Sequence, residues 1–170
     1  MSNMKKISII YGTCTDHTKE AAELIASKLG ELNPELHNVA DCGTAPFEQS
    51  DCLILGTSTW GCGDLQDDWG DMLDKLSDVE LTGKQVALFG LGDSSGFSDT
   101  FVDGMGELYH FFNDKGCKII GQVPTDGYSF DDSTAVVNDE FVGLPLDADN
   151  EEDQTEERIE GWVSELKPLL

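Results

Sequence analysis

Thr13, Thr15 and Thr18 fall in the stretch YGTCTDHT, which follows an apolar run (Ile7, Ile9, Ile10) and precedes a helical pattern. Hydroxyls at the mouth of a helix suit an anion, because the first turn has backbone N–H groups without intrahelical partners and carries a partial positive charge. The stretch contains no Lys or Arg, so a phosphate bound there is held by hydrogen bonds rather than by a cation. Charge-assisted hydrogen bonds contribute about 1.5–3 kcal/mol each, so roughly five of them suffice even in an acidic chain. The same residues also read as an ordinary helix cap, since Thr15 and Asp16 are common cap types.

Two further stretches carry aromatic residues where a planar ligand could stack. GTSTWGCGDLQDDW sets Trp60 between Ser58, Thr59 and Gly61, small residues that give the indole little local core to fill. GLGDSSGFSD holds Phe97. Its Gly90-x-Gly92 lacks the spacing of a dinucleotide loop and does not follow the first strand, so that motif is excluded.

Other chemistries fail on specific residues. A cysteine phosphatase loop needs Arg six residues after its Cys, and the sixth residue after Cys14 is Glu20. A phospho-accepting receiver needs acidic residues where this chain has Tyr11-Gly12 and Gly56-Thr57. The run DADNEED places Glu152 at the glycine position of a calcium loop and Arg158 at its bidentate glutamate, so it reads as a solvated acidic face. His17, His37 and His110 are scattered, and no triad or metal site assembles from them. Five cysteines (Cys14, Cys42, Cys52, Cys62, Cys117), odd in number and without a Cys-x-x-Cys pair, read as reduced thiols.

These residues need a scaffold, and the spacing of apolar residues supplies one. Strand-like runs over 6–10, 35–39, 52–55, 85–91 and 118–123, the last continued at 141–146, alternate with helical patterns over 18–29, 65–76, 100–113 and 155–166. Asp153 and Glu156 stand like a capping box at the last helix; any helix within 39–51 is weak. Repeated βα units predict an α/β fold with a parallel sheet, and segment 124–140, rich in Gly, Asp and Ser, reads as an insertion splitting the fifth strand. The expectation is one domain over 1–170, because a chain of 170 residues is long enough for one core and short for two. In such a sheet, ligands bind beyond the carboxyl ends of the strands, which singles out the loops 12–18, 56–64 and 92–99.

Thirty-four acidic against 10 basic residues give a formal net charge of -24. That balance repels nucleic acid and anionic lipid and favours partners with basic patches. No apolar stretch approaches the roughly 18 residues of a spanning helix, so the expectation is a cytoplasmic protein with no membrane insertion.

With these stretches in order, followed by TDGYSFDDS, FVGLPLDADN and RIEGWVSELK, nearly the whole chain resembles the flavodoxins, in their long-chain class. The resemblance implies a doubly wound sheet of five parallel strands in the order 2-1-3-4-5, carried over from the family rather than read from the pattern. It implies bound FMN and a low-potential one-electron carrier, not an enzyme with its own substrate. By the same resemblance Thr13, Cys14, Thr15, Asp16, His17 and Thr18 hold the phosphate, and Ser58, Thr59, Trp60, Gly61, Cys62 and Gly63 run along the flavin with Trp60 on one face. Phe97 covers the other face, Leu91, Gly92 and Asp93 meet the polar edge of the ring, and Asp149 lies near the ribityl chain. The Gly61–Cys62 peptide is the one expected to turn over on reduction, which glycine permits because both signs of φ are open to it. The implied partners are basic redox proteins such as ferredoxin-NADP reductase or photosystem I, meeting a monomer in transient electrostatic complexes.

Two residues depart from the family pattern: Asp16 stands where it has glycine, and Phe97 where it usually has tyrosine. Two rivals are a flavin-free binding module, opposed by Trp60 and Phe97 on separate loops, and an FMN-dependent quinone reductase, whose dimer-forming and pocket elements are not evident.

Overall fold

In the computed structural model, which describes residues 6–12, 17–60, 64–65, 67–92, 102–125, 128, 133–147 and 152–169, strands and helices alternate as the apolar spacing requires. β1 (Ile7–Gly12) leads to α1 (His17–Lys28), β2 (Glu35–Asn38), and two short helices, α2 (Val39–Cys42) and α3 (Ala45–Gln49). β3 (Cys52–Trp60) turns back as β4 (Asp64–Leu65) and continues into α4 (Asp67–Leu76) and β5 (Gln85–Leu91). Then come α5 (Asp103–Asp114), β6 (Lys118–Ile120), β7 (Val123–Pro124), β8 (Val136–Val137), β9 (Glu140–Phe141), β10 (Leu144–Leu146) and α6 (Thr155–Leu166).

The main sheet is parallel in the order β2-β1-β3-β5, with β6 and β10 both on the outer side of β5. β6 pairs with Gln85–Ala87 and β10 with Phe89–Leu91, so together they form the expected split fifth strand. The order 2-1-3-4-5 therefore stands.

Alternating residues along β1, β3 and β5 feed two apolar layers, as expected for strands covered on both faces. Ile10, Leu53, Leu55, Val86 and Leu88 pack with Phe47, Trp69, Met72, Leu76, Met105, Leu108 and Phe112 of α3, α4 and α5. Ile9, Tyr11, Ile54, Ala87 and Phe89 pack on the other side with Ala22, Ile25 and Leu29 and with Ile159, Trp162, Val163 and Leu166 of α6. Each helix thus buries the stripe that its 3.6-residue period marks.

Several boundaries differ from expectation. Val123 leaves the fifth strand and pairs antiparallel with Phe141, making a small sheet β7-β9-β8 inside the insertion. A short apolar run cannot tell which strand will claim it. The Asn138-Asp139 turn between β8 and β9 has φ of 55° and 67°, left-handed values that these two residue types tolerate. Region 39–51 holds two short helices because Asn38 caps the first through Ala40 N–H (2.9 Å) and Pro46 starts the second. α4 begins at Asp67 because Leu65 is taken by β4, and α5 begins at Asp103. The capping box at Asp153 and Glu156 is not formed. A 3-10 turn, Glu152–Gln154, runs directly into α6, and Gln154 at the cap is itself helical (φ -96°, ψ -8°), which leaves no extended residue from which to cap. Among the described residues no helix is long and apolar enough to cross a membrane.

Candidate functional site

Strand register brings the exits of β1, β3 and β5 to one rim. Gly12 pairs with Thr57, which pairs with Gly90; one residue on, Ser58 pairs with Leu91, which pairs with Leu146. Neighbouring strands lie about 4.8 Å apart, so the chain leaves β1 and β5 roughly 10 Å from each other with β3 between. The three loops of interest therefore open side by side.

The rim is held firmly from below. Trp69 of α4, fully buried, donates its indole N–H to the Gly56 carbonyl at 2.7 Å. Gly56 admits no side chain, because a Cβ there would run into the ring of Phe89, which crosses from β5 and packs against Trp162 (centroids 6.3 Å). Thr57 is fully buried and donates its hydroxyl to the Ser58 carbonyl at 2.9 Å. On the outer side, Gly92 N–H donates to Leu146 O at 3.0 Å and extends the pairing of β5 with β10 by one step. Asp147, the next residue of β10's exit, is also fully buried.

At the first loop, β1 ends at Gly12 and α1 starts at His17, so the stretch 13–16 joins a strand end to a helix start. Thr18, in the first turn, is 1% exposed. A helix start with a buried hydroxyl offers N–H and O–H donors, which is the donor set a phosphate needs without a cation.

The second loop is shorter than the sequence suggests. Thr59 and Trp60 belong to β3, and they pair antiparallel with Leu65 and Asp64 of β4. Trp60 thus sits at a strand end rather than in free loop. Ser58 is half-buried and Leu91 buried, with Gly92 at the edge of β5. Of the other expected site residues, Thr13, Cys14, Thr15, Asp16, Gly61, Cys62, Gly63, Asp93, Phe97 and Asp149 lie outside the described residues.

Sequence reasoning missed the supports of the rim. Trp69 reads as one member of a helical stripe, and nothing in its neighbours signals a carbonyl partner 13 residues earlier. Tyr128, read only as part of an insertion, donates its hydroxyl to Pro145 O at 2.9 Å and lies under the Arg158 guanidinium, 4.1 Å from its ring centroid.

Charge is distributed unevenly around this scaffold. Lys84 donates to the carbonyls of Glu48 (3.0 Å) and Ser50 (2.6 Å), and Lys115 to those of Ser77 (2.7 Å) and Val79 (2.9 Å). Both lysines serve the amino-terminal side of the sheet, away from the rim. Lys6, Lys28 and Lys167 pair with Glu35, Glu160 and Glu31, and the Lys167 hydrogen bond and charge hold the Glu31 carboxyl below its ordinary value. Among the described residues no group of His, Cys, Asp and Glu is arranged to hold a metal ion.

Comparison with known proteins agrees with this architecture. The family model described as Flavodoxin matches residues 9–162. A flavodoxin from Synechocystis sp. is 44% identical over 98% of this chain and 99% of its own, and flavodoxin 2 of Escherichia coli is 41% identical over 94% of each. Among solved structures, the Fusobacterium nucleatum flavodoxin bound to flavin mononucleotide superposes with a TM-score of 0.93 at 35% identity, covering 98% of this chain and 99% of that one.

Proposed function

The chain belongs to the flavodoxin family, and from that premise we propose that it is a low-potential, one-electron carrier of the long-chain class with FMN as its cofactor. The observation that supports this most directly is the shared rim. Three strand exits, a helix start with a buried threonine and a tryptophan-bearing strand end come to one rim, which supports a binding site for an elongated phosphate-ended ligand.

Bound FMN supplies reversible one-electron redox chemistry. The chain's part is to hold, shield and bias it. Thr13, Cys14, Thr15, Asp16, His17 and Thr18 receive the phosphate on hydroxyl and backbone donors at the α1 terminus. Ser58, Thr59, Gly61, Cys62 and Gly63 follow the ring, Trp60 and Phe97 cover its two faces and exclude water, and Leu91, Gly92 and Asp93 meet its polar edge. Asp149 lies beside the ribityl chain. The Gly61–Cys62 peptide would offer its carbonyl as an acceptor at the ring edge, glycine leaving both signs of φ open.

Carboxylates set the potential. One negative charge about 10 Å from the ring opposes a further negative charge by roughly 0.4–1.7 kcal/mol for effective dielectrics of 80 to 20. That is on the order of 20–70 mV per carboxylate before screening. Asp64, Asp67, Asp68, Asp93 and Asp99 together favour a strongly reducing second electron. The chain acts as a monomer of one domain in the cytoplasm, has no substrate of its own, and passes electrons in transient complexes with basic partners such as ferredoxin-NADP reductase or photosystem I.

The purified protein is expected to be yellow, its apoprotein to quench the fluorescence of added FMN stoichiometrically, and stepwise reduction to resolve two one-electron transitions. A colourless protein that ignores added FMN overturns the reading, and a single two-electron transition overturns the carrier role.

A further inference from the structure

The insertion between the halves of the fifth strand is attached at both ends of the third site loop. At the entry, Gly92 N–H is bonded to Leu146 O of β10. β10 is in turn held by the insertion through the Tyr128 hydroxyl on Pro145 O, with Arg158 stacked over the Tyr128 ring.

The exit is attached more tightly. Val102, fully buried at the N-cap of α5, has φ 49° and ψ 31°, a left-handed conformation that a β-branched residue adopts only when its surroundings impose it. The next residue supplies the constraint. Asp103, 9% exposed, accepts the backbone N–H of Thr134 on Oδ1 at 2.7 Å. One turn along α5, Gly106 lies so close to the same segment that a Cβ there would stand 2.6 Å from Thr134 Oγ1 and 2.8 Å from its carbonyl carbon. Segment 133–135 is itself closed by Ala135 N–H on Ser133 Oγ (3.1 Å) and tied to Val142 N–H through the Ala135 carbonyl (2.8 Å).

We infer that Asp103 is a positioning residue for the flavin site: by seating 133–135 on the start of α5 it fixes the exit of the loop that carries Asp93 and Phe97. The insertion thereby acts on cofactor binding through the exit of that loop. The inference rests on the FMN reading above, with loop geometry as its added claim.

The test compares Asp103→Asn, Asp103→Ser and Asp103→Ala with the parent protein. Asn removes the charge but keeps an acceptor at Oδ1; Ser still suits a helix start but is too short to reach Thr134. The readouts are the FMN dissociation constant by fluorescence titration, the first midpoint potential, and thermal unfolding of the apoprotein. Lys84→Met, which loses two hydrogen bonds at the far side of the sheet, serves as a control for destabilisation alone. Ser and Ala are expected to weaken FMN binding about tenfold, the effect of one charge-assisted hydrogen bond, and to move the first potential. Asn is expected to stay within about threefold of the parent, and Lys84→Met to bind FMN unchanged. If Ala does not fold, the difference between Ser and Asn decides the matter. Parent-like binding and potential in the Ser variant overturn the inference while leaving the carrier reading in place, and equal weakening in Lys84→Met overturns it as well. A parent protein that ignores FMN removes both.

Discussion

Cys117 is a thiol under pressure to stay protonated. It is 7% exposed, donates weakly to Leu81 O (3.4 Å), and burial pushes its pKa up to about 11, with Lys84 and Lys115 offsetting only part of that. In the unfolded chain the same thiol ionises near 9.0. Between those values the unfolded state binds fewer protons than the folded one, so stability falls as pH rises; below about 9 both states are neutral there and the effect is absent. Cys42, raised in the same direction by burial, adds to the slope. Denaturant unfolding from pH 8 to 11 is expected to show this decline, and Cys117→Ala to flatten it; an unchanged slope would assign the decline elsewhere. Asp16 poses a different residue-level question, because a carboxylate stands where the resembling family has glycine beside the phosphate. Removing a nearby like charge contributes about 0.4–1 kcal/mol, so Asp16→Gly should tighten FMN roughly two- to fivefold, and less so in added salt. Weaker binding in that variant by fluorescence titration would refute the account. The strand exits and the helix start beside Thr18 were legible because their pattern is local; the Trp69–Gly56 and Asp103–Thr134 bonds were not, since each depends on where two distant segments are brought together.

At the scale of elements, the helix ends show how this acidic chain uses its few cations. Lys115, just past α5, spans the two carbonyls beyond the end of α4 and lies 5.7 Å from the Phe111 ring centroid. A cation at a helix C-terminus satisfies carbonyls that have no intrahelical partner and opposes the negative end of the dipole. Lys115→Met keeps most of the aliphatic packing and loses both bonds. It should lower stability by about 1–3 kcal/mol in urea unfolding, with FMN affinity unchanged because the site is on the other side of the sheet. A loss of affinity without a loss of stability would contradict that placement. Helices with strong periodic stripes were legible almost to the residue: α6 matches its expected span, and Ala22, Ile25 and Leu29 are buried as their spacing requires. Elements set by tertiary pairing were not. β3 runs on to Trp60 because β4 folds back on it, and Val123 joins β9 because an antiparallel partner is available within the insertion. Short apolar runs carry no mark of which neighbour they will meet, so the split of the fifth strand was legible while its ends at Val123 and Phe141 were not.

The whole molecule carries 34 acidic and 10 basic residues, and its parallel sheet follows from alternating βα units, but its field depends on where the cations are placed. Lys84 and Lys115 are engaged by carbonyls, and Lys6, Lys28 and Lys167 by glutamates, all at the amino-terminal side or on the helices that flank it. Lys19, exposed in the first turn of α1, stands at the rim end, so the field that an approaching partner meets there is that cation set against the chain's surplus of carboxylates. Two consequences have opposite signs in salt. Self-repulsion within a chain of charge -24 destabilises the compact state, so screening it raises stability. Attraction to a basic partner accelerates encounter, so screening it lowers the association rate. The Debye length falls from about 30 Å at 0.01 M to about 8 Å at 0.15 M, which removes most of the long-range steering. On one preparation, raising salt over that range should increase the unfolding temperature and slow association with a basic reductase by about tenfold or more, the dissociation rate changing less. Stopped-flow mixing measures the second and thermal unfolding the first. A rate indifferent to salt would mean that docking is guided by shape at the rim rather than by the field, and a melting temperature that falls with salt would mean that the surface ion pairs outweigh the repulsion.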